Sequence, residues 1–153
     1  YDFQGLAGFT FGGGLANAND GGQARRLGRV HLYPHLPAAL AMIGPEVFKH
    51  AVTRMRDCAN LVIARSGLKA EDIKLVIPHQ ANLRIIESAA KRWRSGLDRF
   101  FINLDKYGNT SAGSIPVALA EALNEGRVKP GSLILLAGFG GGLSWGSVLL
   151  RWG

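Results

Sequence analysis

Three short stretches of this sequence carry groups suited to holding a developing negative charge. His79 follows the apolar run 73–77 and Pro78, Asn109 lies in Tyr107-Gly108-Asn109, and Gly140-Gly141-Gly142 follows Phe139. A neutral imidazole and a carboxamide can each donate one hydrogen bond to an oxyanion. Glycine lets a backbone N–H approach the same atom closely. Preorganised donors of this kind are usually the largest catalytic contribution in acyl transfer and enolate chemistry. A lone histidine after a strand is more often structural, so the reading depends on whether the three stretches meet.

The surrounding elements predict that they do. Gly44-Pro45-Glu46 reads as a helix start, since proline fits the first turn and an acid there complements the dipole. Phe48, Val52, Met55, Ala59 and Val62, with Val47, Ala51 and Cys58 beside them, form two adjacent stripes at helical spacing, and Gly67 is the expected C-terminal cap. Residues 73–77 read as a strand ended by Pro78. A helix is predicted over 82–95 with Leu83, Ile86, Ala90 and Trp93 inward, then a short strand over 99–103 and a loop from Asp105 to Gly113. A third helix near 114–125 closes at Gly126. The continuous apolar run 133–137 reads as a strand covered on both faces, and 145–151 as a last, antiparallel strand. Strand, helix, strand, helix, strand is the pattern of a mostly parallel α/β sheet. Right-handed crossovers put the strand ends on one edge, where ligands of open α/β sheets bind. Residues 1–30 are the least readable, with a strand expected from Leu6 to Phe11.

Other motifs are weaker. Gly142-Leu143-Ser144-Trp145-Gly146 matches the nucleophile-elbow pattern, but a strand follows it and only seven residues remain for an acid and a base. Neither glycine cluster completes a nucleotide fingerprint. His31 and His35 have helical ligand spacing, yet Pro34 lies between them and no acid or cysteine cluster accompanies them, so no metal site is expected. Cys58 falls on an apolar helix face and reads as an inert core thiol. Arg84, Lys91, Arg92 and Arg94 make a basic helical surface. Trp93 falls on the buried stripe, which leaves no aromatic platform for nucleic acid.

Composition sets the frame. At 153 residues, 47% hydrophobic and 19% charged, the chain is one ordinary domain and not a disordered one. Its apolar runs fall short of the ~18 residues that mark a membrane span. The 21 glycines are roughly twice the usual ~7% share and recur at no fixed period. Eighteen basic against eleven acidic residues give a net charge of +7, which favours acidic partners. One cysteine and no signal segment suggest a cytoplasmic protein. The chain opens on Tyr1, so a piece of something longer is expected.

Pro78-His79-Gln80-Ala81-Asn82-Leu83-Arg84, Tyr107-Gly108-Asn109-Thr110-Ser111-Ala112, Phe139-Gly140-Gly141-Gly142 and Trp145-Gly146-Ser147 resemble the C-terminal half of the β-ketoacyl-acyl-carrier-protein synthase III family. Met42-Ile43-Gly44-Pro45-Glu46-Val47-Phe48-Lys49 is similar to an upstream segment of the same half. The resemblance runs from about residue 40 to the end, in matching order and spacing. Residues 1–39 match poorly and are set apart from a catalytic domain over 40–153.

The resemblance implies a thiolase-like fold: a layered α/β half with a mixed sheet, paired in the full enzyme with a similar half and forming homodimers. It implies decarboxylative Claisen condensation of an acyl group, delivered by acyl-coenzyme A, with malonyl-acyl-carrier protein in fatty acid synthesis. His79 and Asn109 would donate to the malonyl thioester oxygen, and Gly141 would be a backbone donor of the acyl oxyanion hole. Phe139 would lie near the acyl pocket, and Asn82 and Gly44 in the substrate site. Lys49, Arg84, Lys91 and Arg92 would receive the carrier protein. No cofactor is implied beyond acyl-coenzyme A as substrate. Nor is a nucleic-acid or membrane partner. Pro45 stands where an asparagine commonly holds the pantetheine arm, and Leu143 replaces a common phenylalanine. The nucleophilic cysteine belongs to the N-terminal half, so the chain is expected to be inactive and self-associating by itself. A chalcone-synthase-like or secondary-metabolite condensing enzyme shares the His/Asn pair. A non-catalytic carrier-protein-binding module would need the basic face alone.

Overall fold

The computed structural model describes residues 6–13, 44–93, 96–140 and 143–153. The described strands are β1 (Leu6–Gly13), β2 (Leu75–Pro78), β3 (Leu133–Gly140) and β4 (Ser144–Arg151), in the sheet order β1-β4-β3-β2. The pair β2/β3 is parallel, while β4 runs antiparallel to both β3 and β1. Three strands therefore point one way, and the last strand runs against them from inside the sheet. That β4 is antiparallel follows the sequence reading. Its place between β3 and β1 was not foreseen.

Helices cover both faces. Helix α1 (Gly44–Arg65) ends where the Ser66 N–H reaches the Val62 carbonyl at 3.1 Å and Gly67 turns with φ +70°. No side chain is easily placed at that φ, which is why glycine stands there. Val52, Met55, Cys58, Ala59 and Val62 are buried along α1, as their spacing predicts. Helix α2 (Leu83–Arg92) lies against α1. Helix α4 (Ser114–Asn124) buries Ala118 and Ala122. Strand alternation divides the core between the two sides. Val76, Leu135 and Leu149 join the cluster with Val62, Ile86 and Ala90. Leu75, Ile77, Ile134 and Leu150 join the one with Ala118 and Ala122. This is the expected two-sided burial of β3.

Three local expectations are corrected. The strand expected from 73 begins at Leu75, because Ile73 closes a 3-10 turn over Ala70–Asp72. The strand expected over 99–103 contracts to one parallel bridge, Val76 with Phe100. Its continuation is blocked because the Phe101 carbonyl and the Asn103 N–H are bonded to the side chain of Gln80. The inward stripe of the second helix begins at Ile86, not Leu83. Leu83 is the first helical residue and is 43% exposed, while Ile86 is fully buried. Trp93, at the other end of that stripe, is half-buried. It meets Phe100 edge-on at 6.2 Å and donates from Nε1 to Asn60 Oδ1 at 2.9 Å.

This placement predicts a contrast between neighbours. Ile86→Ala should lower unfolding stability by about 2–5 kcal/mol through lost burial and a cavity. Leu83→Ala should change it by no more than about 0.5 kcal/mol. Urea denaturation of both variants checks this; equal losses would contradict the assigned face.

Candidate active site

His79 leaves the carboxyl end of β2. Its N–H donates to the Ala137 carbonyl at 2.8 Å, extending the parallel β2/β3 ladder by one rung. Its Nδ1 lies 2.5 Å from Ser114 Oγ, at the first residue of α4. The N–H of Gln80 donates to the same oxygen at 3.2 Å. Helix α4 is thereby pinned to the end of β2. It also reaches β3: a Cβ placed on Gly138 would meet Ile115 Cδ1 at 3.8 Å. Burial disfavours the imidazolium and pushes the His79 pKa below its ordinary 6.5. At neutral pH the ring is uncharged, with one donor nitrogen.

Asn109 sits on the loop that enters α4. Gly108 takes φ +66° and ψ −161°, a region open essentially to glycine. Ser111 holds φ +52°. The N–H of Ser111 donates to Asn109 Oδ1 at 2.9 Å. The Asn109 carboxamide is exposed, with its Oδ1 held by the backbone.

The loop has its own anchor. The segment 105–113, which lacks helical periodicity, is opened by a short helix, α3 (Leu104–Tyr107). Glu121 on α4 accepts from Asn103 Nδ2 at 2.8 Å, from Lys106 Nζ at 2.7 Å and from the Tyr107 hydroxyl at 3.4 Å. The hydrogen bond from Lys106, then that from Asn103, holds the Glu121 carboxyl below its ordinary pKa. Gln80, 1% exposed, joins the two halves of the site. Its Nε2 donates to the carbonyls of Pro78 at 2.9 Å and Phe101 at 3.1 Å, and its Oε1 accepts from the Asn103 N–H at 3.1 Å. Neither Gln80, Ser114 nor Glu121 was marked as functional by sequence. The available signal was a carboxamide directly after a strand-ending Pro-His, where an apolar or charged residue would serve less well.

The remaining expected residues divide. Phe139 is half-buried on β3 opposite Trp145, whose ring lies 5.0 Å under the Arg54 guanidinium. Gly141 lies outside the described residues, as do His31, His35 and Arg94. Gly44 is the first residue of α1. Asn82 caps α2, its Oδ1 accepting the Arg84 N–H at 2.9 Å. Lys49, Arg84, Lys91 and Arg92 are exposed on α1 and α2, and Arg92 Nη1 reaches Thr53 Oγ1 at 3.3 Å across the two helices. Cys58 is buried on α1 and forms no disulfide. Ser144 opens a strand rather than a helix, so the elbow pattern lacks its geometry. No group of three metal-ligating side chains occurs among the described residues.

The layered sheet and its site define one half of a thiolase-like α/β fold. Residues 63–152 match the family described as 3-oxoacyl-[acyl-carrier-protein] synthase III C terminal, and the chain belongs to that family. It is 55% identical over 72% of its length to a β-ketoacyl-[acyl-carrier-protein] synthase III of Roseiflexus castenholzii, covering 34% of that protein. The crystal structure of 3-oxoacyl-[acyl-carrier-protein] synthase III from Aquifex aeolicus superposes with a TM-score of 0.83 at 40% identity, over 96% of this chain and 44% of that one. The priming β-ketosynthase of the R1128 polyketide pathway gives a TM-score of 0.68 at 35% identity, over 74% of this chain and 34% of that one. The chain thus spans less than half the length of these relatives.

The lowered pKa of His79 has a signed consequence. Between the folded value and 6.5 the unfolded state binds more protons, so stability falls as pH drops below 6.5. Above 6.5 the effect vanishes. The urea midpoint of the wild type should decline between pH 7 and pH 5 more steeply than that of His79→Gln. Parallel profiles would remove the claimed burial penalty.

Proposed function

We propose that this chain supplies the enolate-stabilising half of a β-ketoacyl-acyl-carrier-protein synthase III active site. One observation carries the reading. Two neutral groups at the carboxyl edge of the sheet, the His79 imidazole and the Asn109 carboxamide, each have one polar atom engaged internally and a second left for a ligand. A pair of neutral donors suits an oxygen that gains charge during reaction, because it costs no reorganisation when the charge appears.

In this reading an acyl group passes from acyl-coenzyme A to a cysteine of the N-terminal half. The malonyl thioester of the carrier protein then loses carbon dioxide. The electrons of the broken carbon–carbon bond form an enolate, whose oxygen accepts hydrogen bonds from His79 and Asn109. Its carbon attacks the acyl-cysteine thioester and releases the cysteine thiolate and a β-ketoacyl product. Gly141 supplies a backbone N–H to the acyl oxygen, and Phe139 borders the acyl chain. Asn82 and Gly44 contact the substrate arm. No cofactor takes part.

Residues 40–153 form the catalytic domain in this proposal, and 1–39 a separate segment. The intact enzyme is a cytoplasmic homodimer. Among the described residues no helix is long and apolar enough to cross a membrane. The likeness to a polyketide priming synthase favours a second reading, in which the same donors serve secondary metabolism. Comparing condensation on fatty-acid and polyketide carrier proteins separates the two.

Two outcomes follow for the full-length protein. His79→Ala and Asn109→Ala should each slow malonyl-thioester decarboxylation by about 100- to 1,000-fold. Acyl transfer to the cysteine should change much less, because neither donor acts on that step. Equal losses in the two half-reactions, assayed separately, would refute the assignment.

Arg84→Glu should raise the apparent KM for malonyl carrier protein, most at low ionic strength, and leave acyl-coenzyme A priming nearly unchanged. Exposed interface charges act mainly through association rate and are screened by salt. Steady-state kinetics at two salt concentrations checks this. Comparable loss of priming would make Arg84 a structural or coenzyme contact.

A further inference from the structure

We infer that Ser114 is a positioning residue that donates its hydroxyl hydrogen to Nδ1 of His79 and so holds the ring as the Nε2–H tautomer. Ser114 is 2% exposed, so its hydroxyl hydrogen needs a partner inside the protein. Its oxygen makes two polar contacts. One is with the Gln80 N–H, which can only donate, so the serine oxygen accepts there. The other is with His79 Nδ1 at 2.5 Å.

If Nδ1 carried a proton, both contacts would point hydrogens at the oxygen, and the buried hydroxyl hydrogen would be orphaned. Leaving a buried donor unmade is the costly arrangement. If Nδ1 is bare, every group is satisfied. The serine accepts from Gln80, donates to His79, and the ring hydrogen of the neutral imidazole must then sit on Nε2.

The arrangement is rigid because its members are fixed elsewhere. The Gln80 side chain is clamped by Pro78, Phe101 and Asn103, which sets the direction of the N–H that fills one lone pair of Ser114. Ser114 is the first residue of α4, which packs on β2 and β3. The consequence for catalysis rests on the reading of His79 as a donor to the enolate. The wrong tautomer would present a lone pair to that oxygen and repel it.

The test is nitrogen-15 NMR of the full-length protein labelled at histidine, with His79→Gln used to assign the signal. At pH 8, Nδ1 of His79 should show the resonance of a bare ring nitrogen and Nε2 that of a protonated one. The reverse pattern would overturn the inference. Ser114→Ala should move the Nδ1 resonance, and malonyl-thioester decarboxylation should fall by about 3- to 10-fold with KM for the carrier substrate unchanged. Ser114→Thr, which keeps the hydroxyl, should restore both. An Nδ1 resonance identical in Ser114→Ala and wild type would also overturn it. The spectrum needs no substrate, so a protein without condensing activity would defeat the proposed function while the tautomer is decided separately.

Discussion

The buried carboxamide of Gln80 is the interaction on which the site depends. Its three hydrogen bonds take two carbonyls and one N–H from chain segments that are distant in sequence. Those groups lie at the end of β2 and in the strand-like segment beside it, where the ladder would otherwise leave them open. A buried backbone group without a partner is costly. The glutamine satisfies three at once and fixes the exit of β2 against the start of α3. His79 is the residue just before it. Asn109 lies beyond the short helix that the same contact anchors. The relative placement of His79 and Asn109 therefore depends on one buried side chain.

A second layer of control comes from α4. Its first residue holds the His79 ring, its second packs under Gly138, and Glu121, two turns on, gathers Asn103, Lys106 and Tyr107. The Asn109 loop is thus gripped at both ends by one helix. Glycine at 108 gives the chain the positive φ needed to turn between those grips. The opposite face of the sheet has a different duty. There α1 and α2 bury their apolar stripes and leave Lys49, Arg84, Lys91 and Arg92 outward.

Much of this was legible from periodicity. The face of α1, the helix near 114–125, the burial of β3 over 133–135 and the reversed last strand follow from patterns of apolar residues and from glycine stops. What stayed hidden was set by long-range partners. The segment 99–103 has good strand composition, yet it is not one, since a side chain occupies its hydrogen-bonding groups. Leu83 has the right spacing to be inward, but it is the first residue of the helix and stays 43% exposed. His79 and Asn109 stood out because their chemistry is uncommon on adjacent loops. Ser114 did not, because nothing in a serine announces which partner it will meet, and for Gln80 the only hint was a carboxamide directly after Pro78-His79.

The sheet order carries a consequence for how the molecule is assembled during synthesis. Strand β1 precedes the other described strands, but its described neighbour is β4, so Leu6 meets Leu150 and Gly13 meets Ser144. Until β4 emerges, β1 lacks that neighbour, and β3 has only its β2 side paired. Pairings this distant in sequence raise contact order and slow folding. The nascent chain must meanwhile carry an open β3 edge, the kind of surface that recruits wrong partners. Among the described strands, β4 alone joins the β2/β3 pair to β1, so one antiparallel strand covers an edge of each of two strands that point the same way.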